Sequence, residues 1–193
     1  MNLPSVSRIL DITMPIEKRE ALNAWRRRIG FEKAEGIIQA AMERGREIDR
    51  QVDLYRLEGA CADERISGYL NGFDFVHHEL SVRSEAGRYQ GRFDAVLRIN
   101  DRNILVDFKG STRKKPVKYL VDYRLQLGAY YGACCEMGIG VDVACVVLFI
   151  DDTPTPQLYW QQLPELTQSH VEFLQRVGQY ERMNAQAFTP ESK

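Results

Sequence analysis

The sequence predicts an α/β fold in which a central mixed β-sheet is flanked by α-helices. Three observations lead there. Apolar residues recur at three- and four-residue intervals between Glu32 and Leu57, the signature of an amphipathic helix. Strand-length segments separated by turn signals occupy the middle of the chain, from Phe73 to Gln161. Between them, about Tyr119 to Met137 is small and apolar at Leu127, Gly128, Ala129, Tyr131, Gly132 and Ala133, as expected where a helix lies against a sheet.

Pro4 to Met14 reads as an extended lead-in, and Pro15 to Arg28 as a helix that tolerates proline in its first turn and ends at Gly30. In the long helix that follows, Ile38, Ala41, Met42, Gly45, Ile48, Val52 and Tyr55 form the expected buried stripe, with Asp49 at its border. A short helix, Ala62 to Leu70, and an Asn71-Gly72 turn lead into a strand from Phe73 to Val82. Strand alternation places Phe75, His77, Glu79 and Ser81 on one face and Val76, His78, Leu80 and Val82 on the other. Neighbouring His77 and His78 therefore cannot both serve one metal without distortion.

The next strand, Tyr89 to Ile99, turns Arg92 and Asp94 to its polar face. Asn100-Asp101-Arg102-Asn103 supplies a hairpin turn into a strand that closes with Val106-Asp107-Phe108-Lys109. Gly110 to Lys115 is a basic loop, and Pro116 breaks the chain before the helix. Gly138 and Gly140 stop that helix. Val141 to Ile150, apolar on both faces, suits the sheet's interior, and Gln157 to Gln161 an edge. Glu165 to Met183 is a closing helix, followed by a tail expected to be mobile after Ala185. With no repeat and no linker, the expectation is one domain over residues 1–193: a helical part at about 15–72, an α/β core at about 73–160 and a C-terminal helix at about 165–183.

Composition narrows the class. At 193 residues with 44% hydrophobic content, the chain can bury a core without disulfides or a structural metal. Its start lacks the basic head and apolar core of a signal peptide, and its longest apolar run, Val143 to Ile150, is too short to span a bilayer. The expectation is a soluble, cytoplasmic protein with no membrane partner. Cys61, Cys134, Cys135 and Cys145 form neither a C-x-x-C pair nor an even framework, so they read as packing thiols of a reducing compartment. Twenty-six Lys and Arg balance 27 Asp and Glu, so overall charge does not announce a nucleic-acid binder. Local order does more, with Arg26-Arg27-Arg28, then Arg44, Arg46 and Arg50, then Arg113-Lys114-Lys115 and Lys118. A neutral protein presents a basic groove if its acids gather elsewhere, some of them around a cation.

The chemistry concentrates between Gly91 and Lys109. Side chains at i and i+2 of a strand share a face, so Asp107 and Lys109 point the same way and Phe108 the other. Hard divalent cations prefer carboxylate, carbonyl and water oxygens, and Mg²⁺ keeps several waters for its substrate side. Asp94 and Asp107 are the expected ligands of Mg²⁺ or Mn²⁺, with the Phe108 backbone carbonyl and Asp49 as further donors. Lys109 would position or deprotonate an attacking water and stabilise growing negative charge, a bound cation lowering its pKa. Arg46, Arg92, Ser111, Arg113, Lys114 and Lys115 are the expected nucleic-acid contacts.

The ordered set Glu79, Gly91-x-x-Asp94, Asp107-x-Lys109, Gln126-x-x-x-Tyr130 resembles the PD-(D/E)XK nuclease superfamily, and its trailing Gln and Tyr resemble the RecB-type branch. Phe93 stands where the name-giving proline would be. Pro4-Ser5-Val6, Thr13-Met14, Trp25, Gly45-Arg46-Glu47-Ile48, His78-Glu79 and the basic loop extend the likeness, over roughly residues 4 to 150, to exonucleases of mitochondria, phages and bacteria.

The resemblance implies a restriction-endonuclease-like core. It also implies a metal-dependent nuclease acting on DNA at single-stranded ends or flaps, in recombination, repair or replication. Asp94, Asp107, Lys109, Glu79, Gln126 and Tyr130 would be its catalytic residues, with Gln126 and Tyr130 orienting the lysine or touching the DNA backbone. One departure stands out: Asp49 falls where RecB-type members carry a histidine ligand, which makes the site harder and more anionic. The cysteine spacing does not match the iron-sulfur members, so no cluster is expected. An endonuclease of the same fold and a non-catalytic DNA-binding module remain the alternatives.

Overall fold

Helices come first and the sheet follows. The computed structural model of the chain describes residues 3–187. Its elements run α1 (Val6–Ile12), α2 (Ile16–Ile29), α3 (Phe31–Glu58), α4 (Glu64–Leu70), β1 (Asp74–His78), β2 (Ser81–Ser84), β3 (Tyr89–Arg92), β4 (Ala95–Ile99), β5 (Arg102–Ser111), a 3₁₀ turn (Val117–Tyr119), α5 (Val121–Glu136), β6 (Val143–Ile150), β7 (Gln157–Gln162) and α6 (Leu163–Ala187). The tail after residue 187 lies outside the described residues.

The main sheet has five strands in the order β1-β4-β5-β6-β7. All neighbours are antiparallel except β5 and β6, which run parallel because α5 makes the crossover between them. The sheet is therefore mixed and flanked by helices, as the sequence predicts. On one face Val96, Leu105 and Val146 meet Leu127, Ala133 and Phe173 of α5 and α6. On the other, Leu97, Val106 and Phe149 meet Ile48 and Val52 of α3 and Ile66 of α4. All eight residues of β6 are buried, which is why its sequence is apolar without alternation. Asn100 and Asp101 both take positive φ, 48° and 60°, and so make the two-residue hairpin turn between β4 and β5.

Three expectations give way to a different arrangement. Pro4 to Met14 is not extended: Ser5 caps α1, its Oγ accepting the Arg8 N–H at 3.2 Å. So short a helix is marginal alone, but Val6 and Ile9, 1% and 0% exposed, each gain about 1.5–3 kcal/mol from burial. The expected stripe of α3 is also shorter than its periodicity. Ile48 and Val52 are buried, whereas Met42 is 54% exposed. The amino-terminal half of α3, with α2, which buries no residue, stands away from the sheet.

Third, neither long strand is continuous. Phe73 to Val82 breaks at Glu79, whose φ is +46°, and Tyr89 to Ile99 breaks at Phe93-Asp94. The outer halves, β2 and β3, form their own two-stranded sheet. It folds over so that Tyr89, fully buried, packs edge-on against Phe173 at 4.9 Å and donates its hydroxyl to the Ala129 carbonyl at 2.7 Å.

Close approach of α5 and α6 depends on Gly128, where a Cβ would lie 2.5 Å from the Ser169 backbone carbon. Helix propensity favours Ala over Gly by about 1 kcal/mol, whereas forcing extra volume into a tight contact costs about 1–3 kcal/mol. Gly128→Ala is therefore expected to lower the urea unfolding midpoint. Gly36→Ala, on α3 with nothing within 4 Å, is expected to raise it or leave it unchanged.

Candidate active site

The carboxyl-terminal half of β5 carries the centre of the site. Leu105, Asp107 and Lys109 share the sheet face that α5 covers, because they alternate with Val106 and Phe108, which pack toward α3. Asp107 is 1% exposed. Its Oδ1 accepts a hydrogen bond from Lys109 Nζ at 2.6 Å, while its Oδ2, equally buried, has no hydrogen-bond partner. Burial raises the Asp107 carboxyl above the ordinary carboxylate range, with the Lys109 ammonium opposing and Asp94 adding to the rise. Burial by itself would lower Lys109, but Asp107 and then Asp94 outweigh it and hold the ammonium above the ordinary lysine range. The chain alone therefore keeps Lys109 protonated.

Asp94 sits in the bend between β3 and β4. Its Oδ2 accepts the Phe108 N–H at 2.7 Å, which ties the bend to β5 next to Asp107. The Asp94 carbonyl accepts the N–H of Glu79 at 2.8 Å, so the two strand breaks are bonded to each other. These breaks, together with a register shift between Phe75 and His77, bring His78 and Glu79 to the same place. Asp49, Val52, His78, Glu79, Arg92, Asp94 and Phe108 line one cavity of about 50 Å³. Glu79 Oε2 there accepts from the Arg92 guanidinium at 3.2 Å. The plain alternation that set His78 and Glu79 on opposite faces does not survive the bulge.

Asp49 reaches the cavity from α3. That helix crosses β5 at Gly110, where a Cβ would lie 2.7 Å from Arg44 Cγ and 2.8 Å from Ile48 Cδ1. Partial burial raises the Asp49 carboxyl, and Asp94 raises it further. On the opposite face, Gln126 Nε2 donates to the Tyr130 hydroxyl at 3.1 Å. Burial pushes Tyr130 up to about 12, so it stays a neutral phenol. Its ring lies against Gly91, where a Cβ would meet Tyr130 Cε1 at 2.6 Å, which accounts for glycine at the head of Gly91-x-x-Asp94.

His78, weighed with His77 in the sequence, is 3.6 Å from Asp53 and lines the cavity beside Asp94. One residue of interest escaped the sequence reading: Tyr123 lies under Lys109 Nζ at 5.4 Å from its ring centroid. The signal for Tyr123 was its position one turn before Gln126, on the stripe that also holds Tyr130.

The expected nucleic-acid contacts divide. Arg46, Arg113 and Lys114 are exposed. Arg92 is engaged with Glu79, and Lys115 is half-buried. Ser111 is 6% exposed, and its hydroxyl donates to the Arg113 carbonyl at 2.7 Å and accepts the Arg113 N–H, closing the loop that carries Arg113.

Among the described residues no three His, Cys, Asp or Glu side chains gather closely enough to enclose a metal ion. Asp49, Asp94 and Asp107 thus do not form a closed cage in this conformation. The donor chemistry nevertheless suits a hard cation: Asp107 Oδ2 is a buried acceptor with nothing to accept, and only one oxygen of Asp94 is spent, on the Phe108 N–H.

Residues 15–192 match the sequence model of the PD-(D/E)XK nuclease superfamily. The chain belongs to this superfamily. Among curated proteins it is 29% identical over 148 residues to mitochondrial genome maintenance exonuclease 1 of Xenopus tropicalis, covering 68% of this chain and 43% of that one. To the Mus musculus protein of the same name it is 26% identical over 212 aligned positions, covering 98% and 62%. The chain thus spans about half the length of these relatives. A looser likeness, TM-score 0.43 at 19% identity, links 68% of this chain with 58% of the crystal structure of SSO0001.

The positive φ at Glu79 costs a side-chain-bearing residue about 1–2 kcal/mol that glycine avoids. Glu79→Gly is therefore expected to be more stable than Glu79→Ala by about 1 kcal/mol, measured by thermal unfolding, since both remove the carboxylate and only one relieves the backbone.

Proposed function

We propose that the protein is a Mg²⁺- or Mn²⁺-dependent DNA exonuclease that hydrolyses phosphodiester bonds at single-stranded ends or flaps, in DNA recombination, repair or replication. The observation that carries this reading is buried Asp107 paired with half-buried Lys109, with Asp107 Oδ2 lacking a partner, set beside Asp94 in a chain of the nuclease superfamily. The two curated relatives, both named as exonucleases, support the exonuclease part. Exposed Arg46, Arg113 and Lys114 offer sequence-independent contacts to phosphates. Among the described residues no helix is long and apolar enough to cross a membrane, and Cys61, Cys134, Cys135 and Cys145 are all free.

In the mechanism, Asp94 and Asp107 would hold the cation, with the Phe108 carbonyl and Asp49 as further candidate donors. When bound, the divalent ion supplies a water of lowered pKa and positive charge at the phosphate. Lys109 is held as an ammonium by Asp107 and Asp94. It directs its N–H groups at the water and the non-bridging phosphate oxygen, where charge grows in the transition state. Its raised pKa favours electrostatic stabilisation over proton abstraction by this residue in the chain alone. Tyr130, kept neutral by burial and hydrogen-bonded to Gln126, would with Gln126 orient the lysine or contact the DNA backbone. Glu79 holds Arg92 at the cavity mouth, within reach of an incoming backbone.

End-labelled single-stranded DNA with Mn²⁺ tests the reading. Wild type is expected to digest it, to stop on addition of EDTA, and to leave a closed single-stranded circle intact. Asp107→Ala and Lys109→Ala are each expected to lose about a hundredfold to a thousandfold in rate while keeping their circular dichroism. Equal digestion by all three proteins would rule out this site, and cutting of the circle would make the enzyme an endonuclease. Binding of DNA without any cleavage would leave a non-catalytic module.

A further inference from the structure

We propose that Lys115 is a second lysine of the active site, one that grips a phosphate beside the scissile one, and that Tyr123 is the positioning residue that sets Lys115 and Lys109 together. This rests on the nuclease reading above. In sequence, Lys115 is one of a run of basic residues with Arg113 and Lys114. In structure it is set apart from them.

The Lys115 backbone is pinned to β7. Its N–H donates to Gln157 Oε1 at 3.1 Å, and its carbonyl accepts from Gln157 Nε2 at 3.4 Å and from the Tyr159 hydroxyl. Its side chain is held as well, with Nζ donating to the Tyr123 hydroxyl at 3.1 Å and lying 5.2 Å from the centroid of that ring. Lys109 Nζ lies 5.4 Å from the same centroid. A single ring on α5 therefore gathers the lysine of β5 and the lysine of the loop. Arg113 and Lys114 point into solvent without such anchoring.

The charges around the two ammonium groups differ. Lys109 is matched by Asp107 at 2.6 Å. Among the described residues no carboxylate lies within ion-pair distance of Lys115, whose head rests on a phenol and a π face. Tyr123 offers that ammonium partial compensation only, so the pair of lysines retains an unmatched positive charge. A cavity of about 580 Å³ bounded by Ser111, Thr112, Arg113, Lys114, Pro116 and Tyr119 opens beside Lys115, large enough for a length of nucleic-acid backbone. The ordering of a long, flexible side chain, normally a cost of binding, is already met in the free chain by the loop and Tyr123. A preset cation held by the same ring as Lys109 suits one anion type in this site, the phosphodiester neighbouring the bond being cut.

The test walks a single neutral methylphosphonate linkage along a single-stranded oligonucleotide. Binding is read by fluorescence anisotropy without divalent cation for wild type, Lys115→Gln, Tyr123→Phe and Lys114→Gln, and digestion is followed in parallel with Mn²⁺. In wild type, one linkage adjoining the cleaved bond is expected to weaken binding about tenfold, the scale of one charge-assisted contact. Lys115→Gln should weaken binding of the natural strand by a similar factor and show no further loss at that linkage. Tyr123→Phe, which keeps the ring and loses the hydroxyl, should show a reduced loss at the same linkage. Lys114→Gln should weaken every oligonucleotide equally.

If the Lys115→Gln and methylphosphonate losses multiply at every linkage while wild type still binds and digests, this inference fails and the nuclease reading stands. If wild type neither binds nor digests, the nuclease reading fails and takes this inference with it.

Discussion

A carboxylate that is 1% exposed and has one oxygen without a partner is the constraint on which the site depends. Moving such a group out of water costs several kcal/mol even after relaxation, and a single lysine at 2.6 Å recovers only part of that. Packing alone gives no reason for Asp107 here, since its strand neighbours Val106 and Phe108 are apolar and well buried. The fold keeps an unsatisfied acceptor beneath a helix that bears a neutral phenol and an amide, a departure from ordinary buried pairing that marks a candidate functional site.

The surrounding geometry follows from where the chain breaks its own regularity. A continuous hairpin from Phe73 through Ile99 would have pointed Asp94 along a flat strand, away from the end of β5. Breaking at Glu79 and at Phe93-Asp94, with the Glu79 N–H bonded to the Asp94 carbonyl, releases the Asp94 carboxylate to accept the Phe108 N–H. The same breaks fold β2 and β3 onto α1 and α5, where buried Tyr89 and Val82 compensate for the lost ladder. Glu79 bears the positive φ that makes this possible.

Most of the helices and the strands flanking the turn at Asn100-Asp101 were legible in the sequence, because their periodicity and turn chemistry are local. The doubly apolar Val143 to Ile150 and the edge position of Gln157 to Gln162 were legible for the same reason. The breaks were not, since neither Glu79 nor Asp94 is a Gly, Pro or Asn, and the energy that bends the chain comes from distant contacts such as Tyr89 with Phe173. The stripe of α3 ran past its burial because periodicity records which residues could face a core, not whether a core lies there; Met42 has the spacing and no partner sheet. Asp94, Asp107 and Lys109 were legible through their order along paired strands. The separate standing of Lys115 was not, because nothing in Arg113-Lys114-Lys115 foretells the hydrogen bonds to Gln157, Tyr159 and Tyr123.

Asp49 ties these observations to the charge of the site. Where the RecB-type pattern has a neutral, softer imidazole, this chain has a carboxylate, raised by burial and by Asp94. It shares its cavity with Glu79 and Asp94, while Arg92 is already matched by Glu79 and Lys109 by Asp107. The negative charge of Asp49 and Asp94 is thus in excess inside a small, partly desolvated space, and hydrogen bonding disperses little of it. The close contact of α3 with Gly110 keeps the helix against β5, so the Asp49 backbone is held beside the cavity although its side chain stays open to solvent. Under the proposed function, a small divalent ion with oxygen ligands would offset that excess most directly, whether Asp49 served as ligand or as a neighbouring charge.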